Sequence, residues 1–311
     1  MVAIEKLKKG NKTYFYVSKN FRIGLHKWKK IRRYFGNKEP TKEDIKKLAN
    51  EIETQALQEE LVKEKTTYSY LKDEEAEVLE DIKSEFNKFM KNLPETAREK
   101  YVEDFLIRFT YNSNAIEGNR LSLRDTYLIL QENIIPQDAT TYEYNEVLNT
   151  KNCMKFVKEY NGDFNKTFVL KIHTLLTQNT KITLVGRYRD HNVIITGSAH
   201  RPPSHSEVSG LMVKLFIWYN NNKKKFHPVE LACLVHSEFT RIHPFADGNG
   251  RTARIISNFI LQKNGYPMFF IDVKDRRKYY EALDKSDGGD EKGFVKFIFD
   301  IIINQLKSVS K

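Results

Sequence analysis

Between residues 72 and 308 apolar residues recur every three or four positions, the pattern of helices that bury one face. The spacing predicts helices over 73–92, 95–117, 123–133, 142–160, 165–177, 205–221, 228–242, 251–264, 274–285 and 291–308. Ser204-His-Ser-Glu207 has the form of a capping box, and Pro228 suits a first helical position. One segment breaks the period. Asn192-Val-Ile-Ile-Thr196 is β-branched and closed by Gly197, so it reads as a short hairpin strand. The body is expected to be all-α with one small β element, without internal repeats or low-complexity tracts.

The first 48 residues follow a different pattern. Thr13-Tyr-Phe-Tyr-Val-Ser18 and Lys30-Ile-Arg-Arg-Tyr-Phe35 are β-prone stretches joined by a basic connection and closed by Gly36, which predicts a β-hairpin. From Thr41 the chain turns helical and rich in Glu and Lys up to about Lys65, as an exposed spacer would. The expected organisation is a basic hairpin module over 1–48, a helical linker over 49–71 and a helical catalytic domain over 72–311.

Charge sharpens that division. The chain of 311 residues carries a net charge of +11, and residues 1–48 alone hold 15 Lys/Arg against 4 Asp/Glu, while the remainder holds 37 of each sign. The basic character therefore belongs to the N-terminal module and says nothing about the body. Cys153 and Cys233 are too few and too far apart for a disulfide framework, which suits a reducing compartment. No signal-peptide core and no apolar run of membrane-spanning length occurs, so a cytoplasmic location without membrane contact is expected.

The candidate chemistry lies in His243-Pro-Phe-Ala-Asp-Gly-Asn-Gly-Arg-Thr-Ala-Arg254. Leu231, Leu234, Val235, Phe239 and Ile242 give the preceding helix a buried face, and Pro244 stops it, so His243 emerges at a helix end. Phe245 is expected to point into the core. Two glycines in three residues, Gly248 and Gly250, let backbone N–H groups converge on an anion, and the next helix aims its positive end at the same point. Arg251 and Arg254 share one face of that helix, and paired guanidinium forks suit a chain of phosphates. A carboxylate in such a pocket would repel phosphates unless a divalent cation bridged them, so Asp247 implies Mg²⁺. His243 has the natural pKa range for a base that deprotonates an attacking hydroxyl. Any one of these residues fits an ordinary αα turn with solvated side chains. Their coincidence within twelve residues points to a nucleotide-using enzyme.

The motif His-Pro-Phe-x-Asp-Gly-Asn-Gly-Arg-x-x-Arg resembles the signature of the Fic family, and the resemblance extends over about residues 72–308. It implies a Fic-type helical core and transfer of AMP from ATP to a Ser, Thr or Tyr hydroxyl of a protein. It further implies that His243 is the base and that Asp247 binds Mg²⁺ across the α- and β-phosphates. Gly248, Asn249 and Gly250 would form the anion hole, with the Asn249 side chain near the α-phosphate; Arg251 would hold the β-phosphate and Arg254 the γ-phosphate. Related Doc kinases carry Lys in place of the second glycine, so Gly250 argues against phosphoryl transfer.

Upstream, Ser113-Asn-Ala-Ile-Glu117-Gly118 is similar to the inhibitory motif of autoinhibited Fic proteins. Glu117 is expected at a helix C-terminus, where the dipole disfavours a carboxylate by ~0.3–1 kcal/mol, and Gly118 suits the position after the helix. By the resemblance the compensating cation is Arg254, and the pair would occupy the fork needed by the γ-phosphate. Val193, Ile194, Ile195, Thr196 and Gly197 resemble the family's flap, whose strand edge can take a target segment as an added strand. Tyr279, Tyr280 and Leu283 resemble the wall of the adenine pocket, and Asp287 aligns where relatives carry Asn.

An autoinhibited protein adenylyltransferase is thus the leading reading, with ATP and Mg²⁺ as cofactors and a hydroxyl-bearing protein, including the chain itself, as target. The alternatives are removal of AMP by the same site, and a nucleic-acid-binding regulator with a secondary Fic activity. Lys/Arg interleaved with Tyr14, Tyr16, Trp28 and Tyr34 makes residues 1–48 the surface for nucleic acid; a solvated appendage or a docking arm for an acidic protein would have the same composition.

Overall fold

The computed structural model describes residues 2–10, 12–24, 27–58, 70–198 and 200–307. They fall into two compact units, Met1–Thr67 and Tyr68–Lys311. The N-terminal unit is a three-stranded antiparallel sheet, not a two-stranded hairpin. Its order is β1 (Val2–Lys9), β2 (Lys12–Gly24), β3 (Lys27–Gly36), followed by helix α1 (Lys42–Gln58). β1 pairs with β2 from Val2 opposite Lys19 to Lys9 opposite Lys12. Its Ile4 and Leu7 are exposed, so β1 lacks the apolar alternation that would have announced it; the backbone ladder offered by β2 orders it instead. Val17, Phe21 and Ile31 of the sheet pack with Ile52 and Ala56 of α1 in a small core. Beyond α1, the rest of the helix expected to about Lys65, and with it residues 59–69 of the 49–71 linker, lies outside the described residues.

The second unit is helical: α2 (Asp73–Asn92), α3 (Glu95–Ile116), α4 (Leu123–Tyr127), α5 (Thr141–Glu159), α6 (Lys166–Thr177), α7 (His205–Asn222), α8 (Pro228–Ile242), α9 (Asn249–Lys263), α10 (Arg276–Asp287) and α11 (Glu291–Lys307). Their bounds follow the hydrophobic periodicity to within two residues, with one difference. The segment expected as a single helix over 123–133 is a five-residue α4 that runs into a π turn, Leu128–Glu132, ended by left-handed Asn133. At the start of α7 the Ser204 N–H donates to Glu207 Oε2 at 3.0 Å, as the capping box predicts, and Pro228 opens α8.

α8 and α9 lie at the centre of the main core. Leu231, Val235, Phe239 and Ile242 of α8 pack with Ile255, Ile256, Phe259 and Ile260 of α9, together with Phe168 and Ile172 of α6 and Phe294 and Ile298 of α11. α9 is buried over almost its whole length, so its polar residues must find partners inside the protein. Cys153 and Cys233 are free, buried thiols. Among the described residues no helix is long and apolar enough to cross a membrane.

One expected β element is missing. Val193–Thr196 forms no ladder with any described strand, and the segment turns at Ile195–Ser198, where the Ser198 N–H donates to Ile195 O at 3.3 Å. Ile194 is 74% exposed. Two short arms without a partner strand have no ladder to complete.

Candidate active site

α8 ends where the His243 N–H donates to Phe239 O at 3.0 Å, and His243 itself adopts the left-handed conformation (φ 49°). That strained backbone is held from outside. Arg189, 3% exposed, donates from Nε to the His243 carbonyl at 2.8 Å and from its backbone N–H to Pro244 O at 2.9 Å. Its remaining nitrogens reach His191 O at 3.0 Å and Pro203 O at 2.5 Å, on either side of the flap. One buried guanidinium thereby joins the root of the flap to the base.

His243 is half-buried, and burial pushes its imidazole down to about 4, with Arg189 and His200 adding to the effect and Thr240 O opposing it. The ring is therefore neutral at neutral pH. Nδ1 lies 3.3 Å from the Thr240 carbonyl, which accepts only from an N–H, so the proton sits on Nδ1 and the Nε2 lone pair is left to accept.

The turn that follows is braced from beneath. Phe245 is fully buried and stacks on the His173 ring with centroids 3.7 Å apart and an interplanar angle of 6°. His173 Nδ1 accepts from the Gly186 N–H at 3.0 Å, leaving Nε2–H to donate to Asp247 O at 3.1 Å. The Asn249 amide takes up the Phe245 backbone from both ends: Oδ1 accepts its N–H and Nδ2 donates to its carbonyl, each at 2.9 Å. The Asn249 side chain thus closes the loop on Phe245, using one of its two N–H bonds.

Gly248 caps α9 with φ 78°, and a β-carbon there would press on Thr177 Cγ2 at 3.2 Å. Gly250 is needed for a different reason: a β-carbon would collide with Glu117 Oε1. The Glu117 carboxylate thus rests directly on the glycine turn where an anion is expected. Arg254, 2% exposed, donates from Nη2 to Glu117 Oε1 at 2.7 Å and to Ser113 O at 2.8 Å, and from Nε to Ser113 Oγ at 3.0 Å. Burial alone would raise the Glu117 carboxyl, but Arg254, supported by Arg251 and Arg276, holds it below the ordinary value. Ser113, Glu117 and Arg254, chosen from separate stretches of sequence, meet.

Arg251 is buried too, and its partner is one the sequence did not single out. Nη1 donates to Glu146 Oε1 of α5 at 2.8 Å, while Glu146 Oε2 accepts from Asn119 Nδ2 at 2.8 Å. Among the described residues the Arg251 Nε is buried without a hydrogen-bond partner. Asp247, in contrast, is open: its carboxylate is 67% exposed, 3.9 Å from Arg251 Nη2, and accepts the Gly248 N–H at 2.5 Å. No cluster of three or more metal-ligating side chains exists among the described residues. A single exposed carboxylate beside an anion nest still fits Mg²⁺, which takes one or two carboxylates and fills its shell with water and substrate phosphates.

The residues expected around adenine are divided. Tyr279 is 1% exposed, so it cannot line an open pocket; its hydroxyl lies 2.9 Å from His236 Nε2 and 3.5 Å from Arg254 Nη1, beneath the arginine. A polar tyrosine hydroxyl buried in α10 needs partners, and Arg254 and His236 supply them. Tyr280 is half-exposed and donates to Ile116 O at 3.3 Å, and Leu283 is partly buried against the core. Asp287, its carboxyl raised by burial, stands 3.9 Å from His200. Ser198 of the flap donates to Asp284 Oδ1 at 2.7 Å, tying flap to α10.

The Fic/DOC family profile matches residues 163–261. The helical unit is similar to the crystal structure of a Fic-domain-containing signaling protein from Bacteroides thetaiotaomicron. The likeness has a TM-score of 0.67 and 30% identity, over 75% of this chain and 94% of that one. The chain belongs to the Fic family. This Fic chain is also 35% identical over 199 residues to the Protein adenylyltransferase Fic of Aedes aegypti, and 32% identical over 202 residues to that of Nematostella vectensis. Those matches cover 62% and 63% of the Fic chain but 40% and 47% of the relatives' length, so it spans less than half of the curated relatives.

Glu146, His173 and Arg189 complete the Fic site, and nothing in their local sequence marks them. Each sits among other polar residues, Glu146 near Glu143 and Asn145, His173 near Lys171 and Thr174, Arg189 near Arg187 and Asp190. Burial against the motif turn is their only distinguishing feature, and that exists only after folding.

Proposed function

We propose that this chain transfers AMP from ATP to a hydroxyl side chain of a protein, and that Glu117 holds the site idle. In this reading the neutral His243 takes the hydroxyl proton on Nε2, the hydroxyl oxygen bonds to the α-phosphorus, and the bond to the β-phosphate breaks to release pyrophosphate. The Gly248–Gly250 turn and the N-terminus of α9 receive the phosphate charge. Arg254 serves the γ-phosphate once Glu117 has left it, and Arg251 serves the β-phosphate. Asp247 is the residue that would hold Mg²⁺, which neutralises phosphate oxygens. Tyr280, Leu283 and Asp287 are left as the wall for adenine, and the exposed Val193–Gly197 segment as the docking edge for the target.

The observation that carries the reading is the Glu117 carboxylate lying on Gly250 and bonded to Arg254 at 2.7 Å. A carboxylate seated in an anion nest and paired with a buried arginine is what a displaced phosphate would leave behind. The test is transfer of label from α-labelled ATP to protein in the presence of Mg²⁺. Weak labelling by the wild type, abolished by His243→Ala with ATP binding retained, supports the reading. Labelling by His243→Ala at the wild-type rate removes it.

A further inference from the structure

The N-terminal sheet has two unlike faces. One is covered by α1. On the other, the register sets Glu5, Tyr16 and Tyr34 side by side, then Ala3, Ser18 and Arg32, with Leu7 opposite Tyr14 and Asn20 opposite Lys30. The Arg32 guanidinium sits 3.7 Å from the centre of the Tyr16 ring, and the Tyr34 ring lies 5.3 Å from Tyr16 and 6.2 Å from Tyr14. Tyr34 is 53% exposed.

Several acidic residues of the unit are already engaged. Glu5 pairs with Lys30 and Arg32, Glu39 pairs with Lys6 at 2.8 Å, and Asp44 caps α1 through Thr41. Four lysines gather at one end of the sheet. Lys9 stands directly opposite Lys12 across the β1–β2 turn, with Lys8 beside them. Lys38 follows the end of β3, where Gly36 lies opposite Phe15. All four lysines are exposed, and among the described residues none of them is in an ion pair. Like charges directly opposite on a ladder destabilise it, and a polyanion removes that cost.

We propose that this face and the lysine-bearing turn bind duplex DNA. Positive charge with planar groups suits nucleic acid in general, and the geometry selects the form. The tyrosines pack on one another and Tyr16 is covered by Arg32, so hydroxyls and edges are presented in place of the open ring faces on which unpaired bases stack. Three strands at ~4.8 Å spacing span a width comparable to the B-form major groove, about 12 Å. The deep, narrow major groove of duplex RNA does not admit such a face. Lys8, Lys9, Lys12 and Lys38 are assigned to backbone phosphates, and Arg32, Lys30 and Tyr34 to the groove.

The experiment is a salt titration of the full chain against a short labelled DNA duplex, with single-stranded DNA, duplex RNA and polyglutamate as competitors. Four phosphate contacts predict a slope of log affinity against log salt of about −3 to −4. Lys8→Gln/Lys9→Gln/Lys12→Gln should flatten it by about 3 and weaken low-salt binding at least about tenfold. Circular dichroism would check that this variant keeps its fold, as exposed lysines should allow. Arg32→Gln, at a groove contact, should weaken binding with the slope little changed. Absence of duplex binding at low salt, a wild-type slope in the triple variant, or equal or tighter binding of single strands, RNA or polyglutamate overturns the proposal.

Discussion

Arg251 of α9 and Glu146 of α5 form a nearly buried ion pair, 2.8 Å between Nη1 and Oε1, alongside the better-announced pair of Arg254 with Glu117. Both motif arginines are therefore held by carboxylates from other helices. Asn119, two residues after Glu117, donates to Glu146 Oε2, so the two pairs are linked through the end of α3. In the proposed reaction each of these guanidinium groups must exchange a carboxylate for a phosphate.

If Glu146 competes with the β-phosphate, Glu146→Gln should lower KM for ATP about fivefold, roughly 1 kcal/mol, with kcat little changed. The measurement belongs in a Glu117→Gly background, where turnover is high enough to separate the two constants. A raised KM would mean that Glu146 orients Arg251 for the nucleotide instead.

Glu117→Gly should raise AMP transfer at least about tenfold, because removing the carboxylate frees both the Gly250 turn and the Arg254 fork, and correct seating of the α-phosphate governs attack. Glu117→Gly with Arg254→Ala should not show that gain. The two changes act on one contact, so their effects do not add. Initial rates of labelling for the four proteins of the cycle decide the matter. Unchanged activity of Glu117→Gly across ATP concentrations would sink the inhibitory role.

The pH profile of transfer should be unusual for a histidine base. The catalytic form is the neutral ring, and burial with the nearby Arg189 and His200 lowers the His243 pKa to about 4. Protonation and loss of kcat/KM should thus come as pH falls through about 4, with a plateau across pH 6–7 where an ordinary imidazole would titrate. A break near 6.5 in the profile would contradict the environment described for His243.

Glu143 supplies a stability test away from the chemistry. Its carboxylate accepts from Arg120 Nε at 2.8 Å and Arg120 Nη2 at 3.1 Å, and from the Thr140 N–H and hydroxyl at the start of α5. Led by Arg120, these partners lower its pKa from 4.5 to about 2 against the effect of burial. The folded-state pKa is depressed, so the contribution is full above about pH 4.5 and is lost as pH falls towards 2. Glu143→Gln should cost about 1 kcal/mol at neutral pH, limited by the solvent around Arg120, and should flatten the pH dependence of denaturant midpoints between those values.

Much of this protein was determined locally. The helices described in the body, α4 and its π turn excepted, follow from apolar spacing because a helix needs only one buried stripe, and that stripe is periodic in sequence. The chemistry of His243–Arg254 was legible for a related reason: a base at a helix stop, two glycines and two arginines are contiguous, and their roles depend on backbone geometry within twelve residues. The meeting of Glu117 with Arg254 was expected from the resemblance of both motifs to those of the Fic family.

Tertiary structure decided what depends on contacts between segments. β1 becomes a strand because β2 offers it a ladder, and Val193–Thr196 remains outside any ladder because no strand is offered. The resemblance makes Tyr279 a pocket wall, but packing places it beneath Arg254. Asn249 lies in the motif, yet the closure of the loop on Phe245 takes both ends of its amide. Glu146, His173 and Arg189 carry no local signal; they matter because α9 is buried, and a buried guanidinium, a left-handed histidine and a tight turn each require a polar partner that only the rest of the fold can bring within 3 Å or so.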